Sequence, residues 1–82
     1  MGEIARLRTE IQARKFKAAG LAAEIDRRVR DIKDALSGYP LTKPEALRLS
    51  LVADISAQLE KLQEEYLQLQ REIETAEKEL NG

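Results

Sequence analysis

Apolar residues recur every seven positions through the first half of the chain. The repeat consists of Ile4, Ile11, Ala18, Ile25 and Ile32, and three of them are followed three positions later by Leu7, Leu21 and Ala35. Apolar residues at positions a and d of a heptad are typical of a helix that packs along another helix. Arg14 and Arg28 fill the other two d positions, and the apolar stripe drifts to Val29 and Leu36, as expected when a helix of 3.6 residues per turn follows a repeat of 3.5.

The second half carries the same repeat without an exception. Its a positions are Val52, Leu59, Tyr66, Ile73 and Leu80. Its d positions are Ile55, Leu62, Leu69 and Ala76. This uninterrupted stripe predicts a second long helix with one continuous apolar face.

Residues that end and start helices lie between the two repeats. Gly38 suits the position just after a helix, and Pro40 cannot continue one. Thr42 is a suitable N-cap, and Glu45 would complete a capping box with it. Pro44 suits the first turn of the next helix, where its missing N–H has no consequence. These residues predict a tight turn.

A tight turn between two long helices makes them antiparallel neighbours. We therefore predict an all-α fold, an antiparallel helical hairpin that resembles a coiled coil. In such a pair an a residue faces a d residue, and setting Ile11 opposite Leu69 and Ile25 opposite Ile55 centres the turn at Pro40. The predicted boundaries are a single domain at 1–82, with helices at 3–37 and 43–80 and a turn at 38–42.

The charges support this pairing. Residues 6–17 carry five basic residues and one acidic residue, while residues 60–79 carry seven acidic and three basic residues. The hairpin lays these stretches side by side, and complementary flanking charges set the orientation of paired helices. Because the whole chain has a net charge of −1, neither sign dominates its surface.

Two helices enclose a thin core, and further apolar residues lie outside the a and d positions. Residues 16–23 are apolar or small almost all round the helix, which indicates burial on more than one side. A second hairpin packed on such residues would make a four-helix bundle, and a symmetric homodimer is the common way for a small chain to build one. The residues expected in this self-association and protein-binding surface are Phe16, Ala19, Ala23, Leu47, Leu49, Leu51 and Leu67.

The composition argues against catalysis and against bound cofactors. The chain has no Cys and no His, so it lacks a thiolate nucleophile, the usual general base and the commonest metal ligand. Its Ser, Thr and Tyr hydroxyls have no His to activate them, and its four glycines are scattered rather than grouped in a phosphate-binding loop. We expect no enzyme activity, no metal and no cofactor.

A nucleic-acid contact through the first helix is the alternative. Basic side chains on one helix can follow phosphates. The candidates are Arg6, Arg8, Arg14, Lys15, Lys17, Arg27, Arg28 and Arg30. Arg14 and Arg28 also have a structural interpretation, in which the stems lie along the core, the charged heads reach water or acids, and Arg14 lies over the Tyr66 ring.

The predicted turn exposes three apolar residues, Tyr39, Pro40 and Leu41. We interpret them mainly as a lid that closes the end of the bundle, and the alternative is a recognition knob for a partner protein. The first residues contain no apolar segment of a secretory signal, and no apolar run is long enough to span a membrane. A cytoplasmic protein without a membrane segment is expected.

These features favour a binding function. We expect a non-catalytic protein–protein interaction module, namely a small self-associating adaptor, regulator or inhibitor that binds a partner protein. The alternative is a nucleic-acid-associated regulator that uses the basic first helix.

Overall fold

A computed structural model describes residues 2–37, 44–46 and 48–81. Helix α1 spans Gly2–Ala35 and helix α2 spans Leu49–Asn81, with a 3-10 helix at Pro44–Ala46 between them. The two long helices pack side by side in a rod of 64 × 15 × 14 Å. The predicted all-α helical hairpin is confirmed. The first and last residues of α1 lie within two positions of the predicted ones.

The core lies along the predicted heptad seam. The buried residues are Ile11, Ala18, Ile55, Leu69, Ile73 and Ala76, and each occupies an a or a d position. Five of them form one cluster, against which Leu7, Leu21, Tyr66 and Leu80 pack. No large side chain among the described residues is fully buried, as expected for a core only two helices wide.

The pairing register differs from the predicted one by a full heptad. The predicted register sets Ile4 opposite Ala76 and leaves Leu80 beyond the start of α1. In the structure Ile4 is 56% exposed, whereas Leu80 packs against the core cluster. Lys15 forms an ion pair with Glu77 at 3.2 Å. In the predicted register Glu77 would lie about two helical turns farther along α2, out of reach of Lys15. Each α1 residue therefore faces an α2 residue seven positions later than predicted.

Helix α2 begins at Leu49 rather than at residue 43. The Val52 N–H donates to the Arg48 carbonyl at 3.0 Å, so Arg48 takes the N-cap position. Pro44 and Glu45 belong to the 3-10 helix instead of the first turn of α2. In the observed register an earlier start would carry α2 past the end of α1. Packing supplies most helical stability in proteins, and that extension would have no partner helix.

The end of α1 tightens in its last turn. The Leu36 N–H donates to the Ile32 carbonyl at 3.1 Å, and the Ser37 N–H donates to the Asp34 carbonyl three residues before it, also at 3.1 Å. The predicted cap and turn residues Gly38, Tyr39, Pro40, Leu41 and Thr42 lie outside the described residues.

Candidate protein-interaction surfaces

The hairpin has two long edges, one on each side of the seam, and each edge is built from one heptad position of both helices. Position e of α1 meets position e of α2 on one edge, and the two g positions meet on the other. The structure shows both. Lys15 and Ala22 line a shallow groove with Gln70 and Glu77, whereas Glu10 lines another groove with Glu72 and Glu79.

We call the e side the low-charge edge. Its residues in α1 are Arg8, Lys15, Ala22 and Val29, with Leu36 directly after that helix. Its residues in α2 are Leu49, Ser56, Gln63, Gln70 and Glu77. Only three of these ten carry a charge, and those three lie at the end of the hairpin away from the connection. The late drift of the apolar stripe to Val29 and Leu36 therefore brings those two residues onto this edge.

We call the g side the charged edge. Its residues are Glu3, Glu10, Lys17, Glu24 and Asp31 in α1, and Leu51, Gln58, Glu65, Glu72 and Glu79 in α2. Eight of these ten carry a charge, and seven of the eight are acidic. Arg14 reaches Glu72 at 3.7 Å, and Arg28 lies 3.8 Å from both Glu24 and Asp31. These pairs neutralise part of the edge.

The predicted self-association residues do not lie on one surface. Leu49 belongs to the low-charge edge. Ala19 and Leu67 border it, because each lies three positions before a residue of that edge on the same helix, namely Ala22 and Gln70. Leu51 lies on the charged edge. Phe16 and Ala23 occupy the outer side of α1, away from α2, and Phe16 is 84% exposed. Leu47 lies outside the described residues. The structure thus divides the predicted set among three surfaces.

The basic residues of α1 are also divided. Lys15 and Arg14 pair with glutamates of α2. Arg27 pairs with Glu24 at 3.0 Å and Arg30 with Asp26 at 2.7 Å, both within α1. Arg6, Arg8 and Lys17 have no ion-pair partner among the described residues, and they occupy three different heptad positions. The eight predicted basic residues therefore do not form one basic stripe.

Arg14 and Arg28 are half-buried d residues. Each is about a third exposed, and the guanidinium groups reach carboxylates at the charged edge. The Arg28 Nε is buried without a hydrogen-bond partner, as expected of a stem laid along the core. Arg14 was predicted to lie over the Tyr66 ring, but the heptad shift sets Tyr66 opposite Leu21, two turns away. Arg14 pairs with Glu72 instead.

The difference between the two edges was missed in the sequence, although its signal is present there. The a and d positions carry the seam, and the contrast between the edges lies at the neighbouring e and g positions. Counting charges separately at e and g would have shown the contrast, since charged e and g residues flank a paired helix in solvent.

Within the described part of the chain, neither helix holds a stretch long and apolar enough to cross a membrane. Over residues 2–37, 44–46 and 48–81, no three acidic side chains are grouped closely enough to hold a metal ion. Searches with this chain found no matching family model, no matching curated protein and no matching solved structure.

Proposed function

We propose that this protein is a non-catalytic protein–protein interaction module, a small helical adaptor, regulator or inhibitor that self-associates and binds a partner protein. In its self-associated form two hairpins make a homodimeric four-helix bundle. The remaining exposed surface, including the outer side of α1 with Phe16, is available to the partner.

The observation that carries the proposal is the exposure of large apolar side chains on a rod with a thin core. Phe16 is 84% exposed, Leu49 63% and Leu67 47%. Burying such a side chain contributes about 1.5–3 kcal/mol relative to leaving it in water. Six residues are buried among those that the structure describes, and so thin a core gains stability when these side chains are covered by another chain.

The chemistry of the side chains supports a binding role over a catalytic one. The chain has no His and no Cys, so no hydroxyl has an imidazole base and no thiolate is available. The grooves between the helices are open rather than enclosed, both at the charged edge beside Glu10 and Glu72 and at the low-charge edge beside Ala22 and Tyr66. Small-molecule sites are enclosed, and these grooves are not.

The nucleic-acid alternative has less support. Five of its eight predicted basic residues already pair with carboxylates of the same chain. Releasing those pairs would offset part of the gain from neutralising phosphates. The alternative stays a prediction.

Sedimentation equilibrium at several concentrations tests the proposal. We expect a mass of twice the 9.3 kDa of one chain, unchanged by adding a duplex oligonucleotide. A fully helical species of one chain's mass across about 1 to 100 μM would contradict self-association. A mass that rises only when the oligonucleotide is present would favour the alternative.

A further inference from the structure

The low-charge edge is free of charge over most of its length. All seven of its residues from the middle of α1 to the middle of α2 are uncharged, and they are Ala22, Val29, Leu36, Leu49, Ser56, Gln63 and Gln70. On the charged edge the same length of hairpin carries Glu24, Asp31 and Glu65. The two edges have the same backbone geometry, so the contrast comes from the side chains alone.

Charge content decides which edge of a hairpin can be covered. An ionised side chain resists removal from water unless it is paired, whereas an uncharged one does not. Helices that face the core of a bundle carry apolar residues at a and d plus either e or g. Here the added position is e, and in the half of the hairpin next to the connection it holds Val29, Leu36 and Leu49 together with the uncharged Ser56.

The two leucines of this set are open to water in the single hairpin, and Val29 is partly buried. Leu36 is 40% exposed and Leu49 is 63% exposed. Ala22 and Ala19 line a groove beside Tyr66 on the same edge, and Leu67 at its border is 47% exposed. The apolar side chains on and beside this edge form an unfilled packing surface, and the other α2 residues along it, Ser56, Gln63 and Gln70, are polar but uncharged.

We propose that a second copy of this chain packs on the low-charge edge, with the C-terminal ends of the two α1 helices at the same end of a four-helix bundle. The inference rests on the proposed function, because it specifies the face and the orientation through which the chain self-associates. Phe16 and the charged edge stay outside this contact.

The orientation follows from the charges at the two ends of the edge. With the hairpins pointing the same way, α1 of one copy lies beside α2 of the other, and Leu36 meets the partner's Leu49. At the far end the Lys15–Glu77 pair of one copy meets the same pair of the other, so that four charges alternate in sign. Opposed hairpins would instead place these charges against Leu36 and Leu49. The charged groups would then be removed from water without an opposite charge from the partner.

The size of the edge is sufficient for a stable contact. A face of 64 × 15 Å offers roughly 900 Å² per copy. Standard interfaces bury about 800 Å² per partner. The edge needs to be covered along most of its length, which the same-end orientation achieves.

A matched pair of substitutions tests the face. Leu49 and Leu51 both lie in the first turn of α2, and both are exposed leucines, but they belong to opposite edges. Glu favours a helix at either position because of the helix dipole, so neither Leu49→Glu nor Leu51→Glu should unfold the hairpin. We expect Leu49→Glu to raise the dissociation constant of the dimer at least tenfold, and Leu51→Glu to leave it within about threefold of wild type.

A second pair lies within α2 and does not depend on its first turn. Gln63→Glu adds a charge to the low-charge edge, and Gln58→Glu adds one to the charged edge. Only the first should weaken the dimer. Sedimentation equilibrium gives the dissociation constant, and circular dichroism checks that each variant keeps its helix content. A dimer that is weakened equally by both members of a pair, or by neither, overturns the assignment of the face.

Single engineered cysteines test the orientation, since the chain has none of its own. Spin labels at Ser37→Cys and, in a separate sample, at Glu3→Cys report the distance between equivalent positions in the two copies. Both distances should be well below half of the 64 Å length, because neighbouring helix axes lie about 8–10 Å apart and the two α1 helices lie diagonally across the bundle at the same level. Opposed hairpins would give a distance near the 64 Å length of the molecule for at least one label, which would overturn the same-end arrangement.

The outcomes separate the two proposals. A wild-type dimer that ignores Leu49→Glu and Gln63→Glu leaves self-association standing and overturns this inference. A wild-type chain that stays a monomer at every concentration overturns both.

Discussion

Gly20 lies near the middle of α1 on its exposed side, and an added Cβ there would meet no atom within 4 Å. Glycine lowers helix stability by about 0.8–1 kcal/mol relative to alanine, because it loses more backbone freedom on folding. At the residue scale, exposure in this molecule separates positions that packing constrains from positions that only helix propensity affects. Gly20 belongs to the second kind, while Ile11 and Ala18 belong to the first.

Gly20→Ala should therefore stabilise the protein. We expect a gain of about 0.5–1 kcal/mol in the free energy of unfolding, measured by urea denaturation followed by circular dichroism. Ala23→Gly, on the same outer side of α1, serves as the control and should lose a similar amount. A loss of stability in Gly20→Ala would contradict the open surroundings that the structure gives this residue.

At the scale of the element, the helices were predictable and their relative position was not. The a and d residues predicted two helices and the seam between them, and in the described part of the chain every buried residue lies on that seam. The start of α2 was predicted too early, because Thr42, Pro44 and Glu45 match the local pattern of a helix start. Local capping signals do not record whether a partner helix is present, and beyond the end of α1 there is none.

Two isoleucines at equivalent heptad positions distinguish the registers. Ile4 and Ile11 both occupy position a of α1, but Ile4 is 56% exposed and Ile11 is 4% exposed. Ile11→Ala should cost about 2–4 kcal/mol, because it leaves a cavity in the core. Ile4→Ala should cost less than about 1 kcal/mol. Urea denaturation of both variants at one protein concentration measures the difference, and equal losses would favour the predicted register.

At the scale of the whole molecule, the hairpin is a rod with two unlike edges. The charged edge carries seven acidic residues, three of which lie within 4 Å of Arg14 or Arg28. The low-charge edge carries exposed leucines toward the connection and a Lys15–Glu77 ion pair toward the other end. The proposed dimer covers the low-charge edge and keeps the charged edge in water.

The unfolding temperature should depend on protein concentration. In a dimer that unfolds to separate chains, association stabilises the folded state by mass action, so a higher concentration raises the midpoint. We expect an increase of several degrees over about a hundredfold range in concentration. Leu49→Glu should reduce this dependence and Leu51→Glu should not. Midpoints of the wild-type chain that do not change with concentration would contradict the dimer.

The candidate surface was predictable only in part. Leu49, Ala19 and Leu67 were expected at an interface and lie on or beside one edge. Phe16, Ala23 and Leu51 were expected beside them but lie elsewhere. Apolar character outside the seam grouped these residues together, whereas their heptad positions already assign them to different sides of the helix pair.

The sequence by itself determined the two helices, the residues of the seam and the antiparallel pairing. Heptad periodicity expresses all three, because a and d residues must be buried wherever the helices meet. Only the tertiary structure decided the register and the start of α2, whereas the residues of each edge follow from the e and g positions of the repeat. A shift of seven residues returns every a residue to a d residue, so the repeat cannot distinguish one register from the next. The choice depends on how far each helix extends and on which charges meet across the seam.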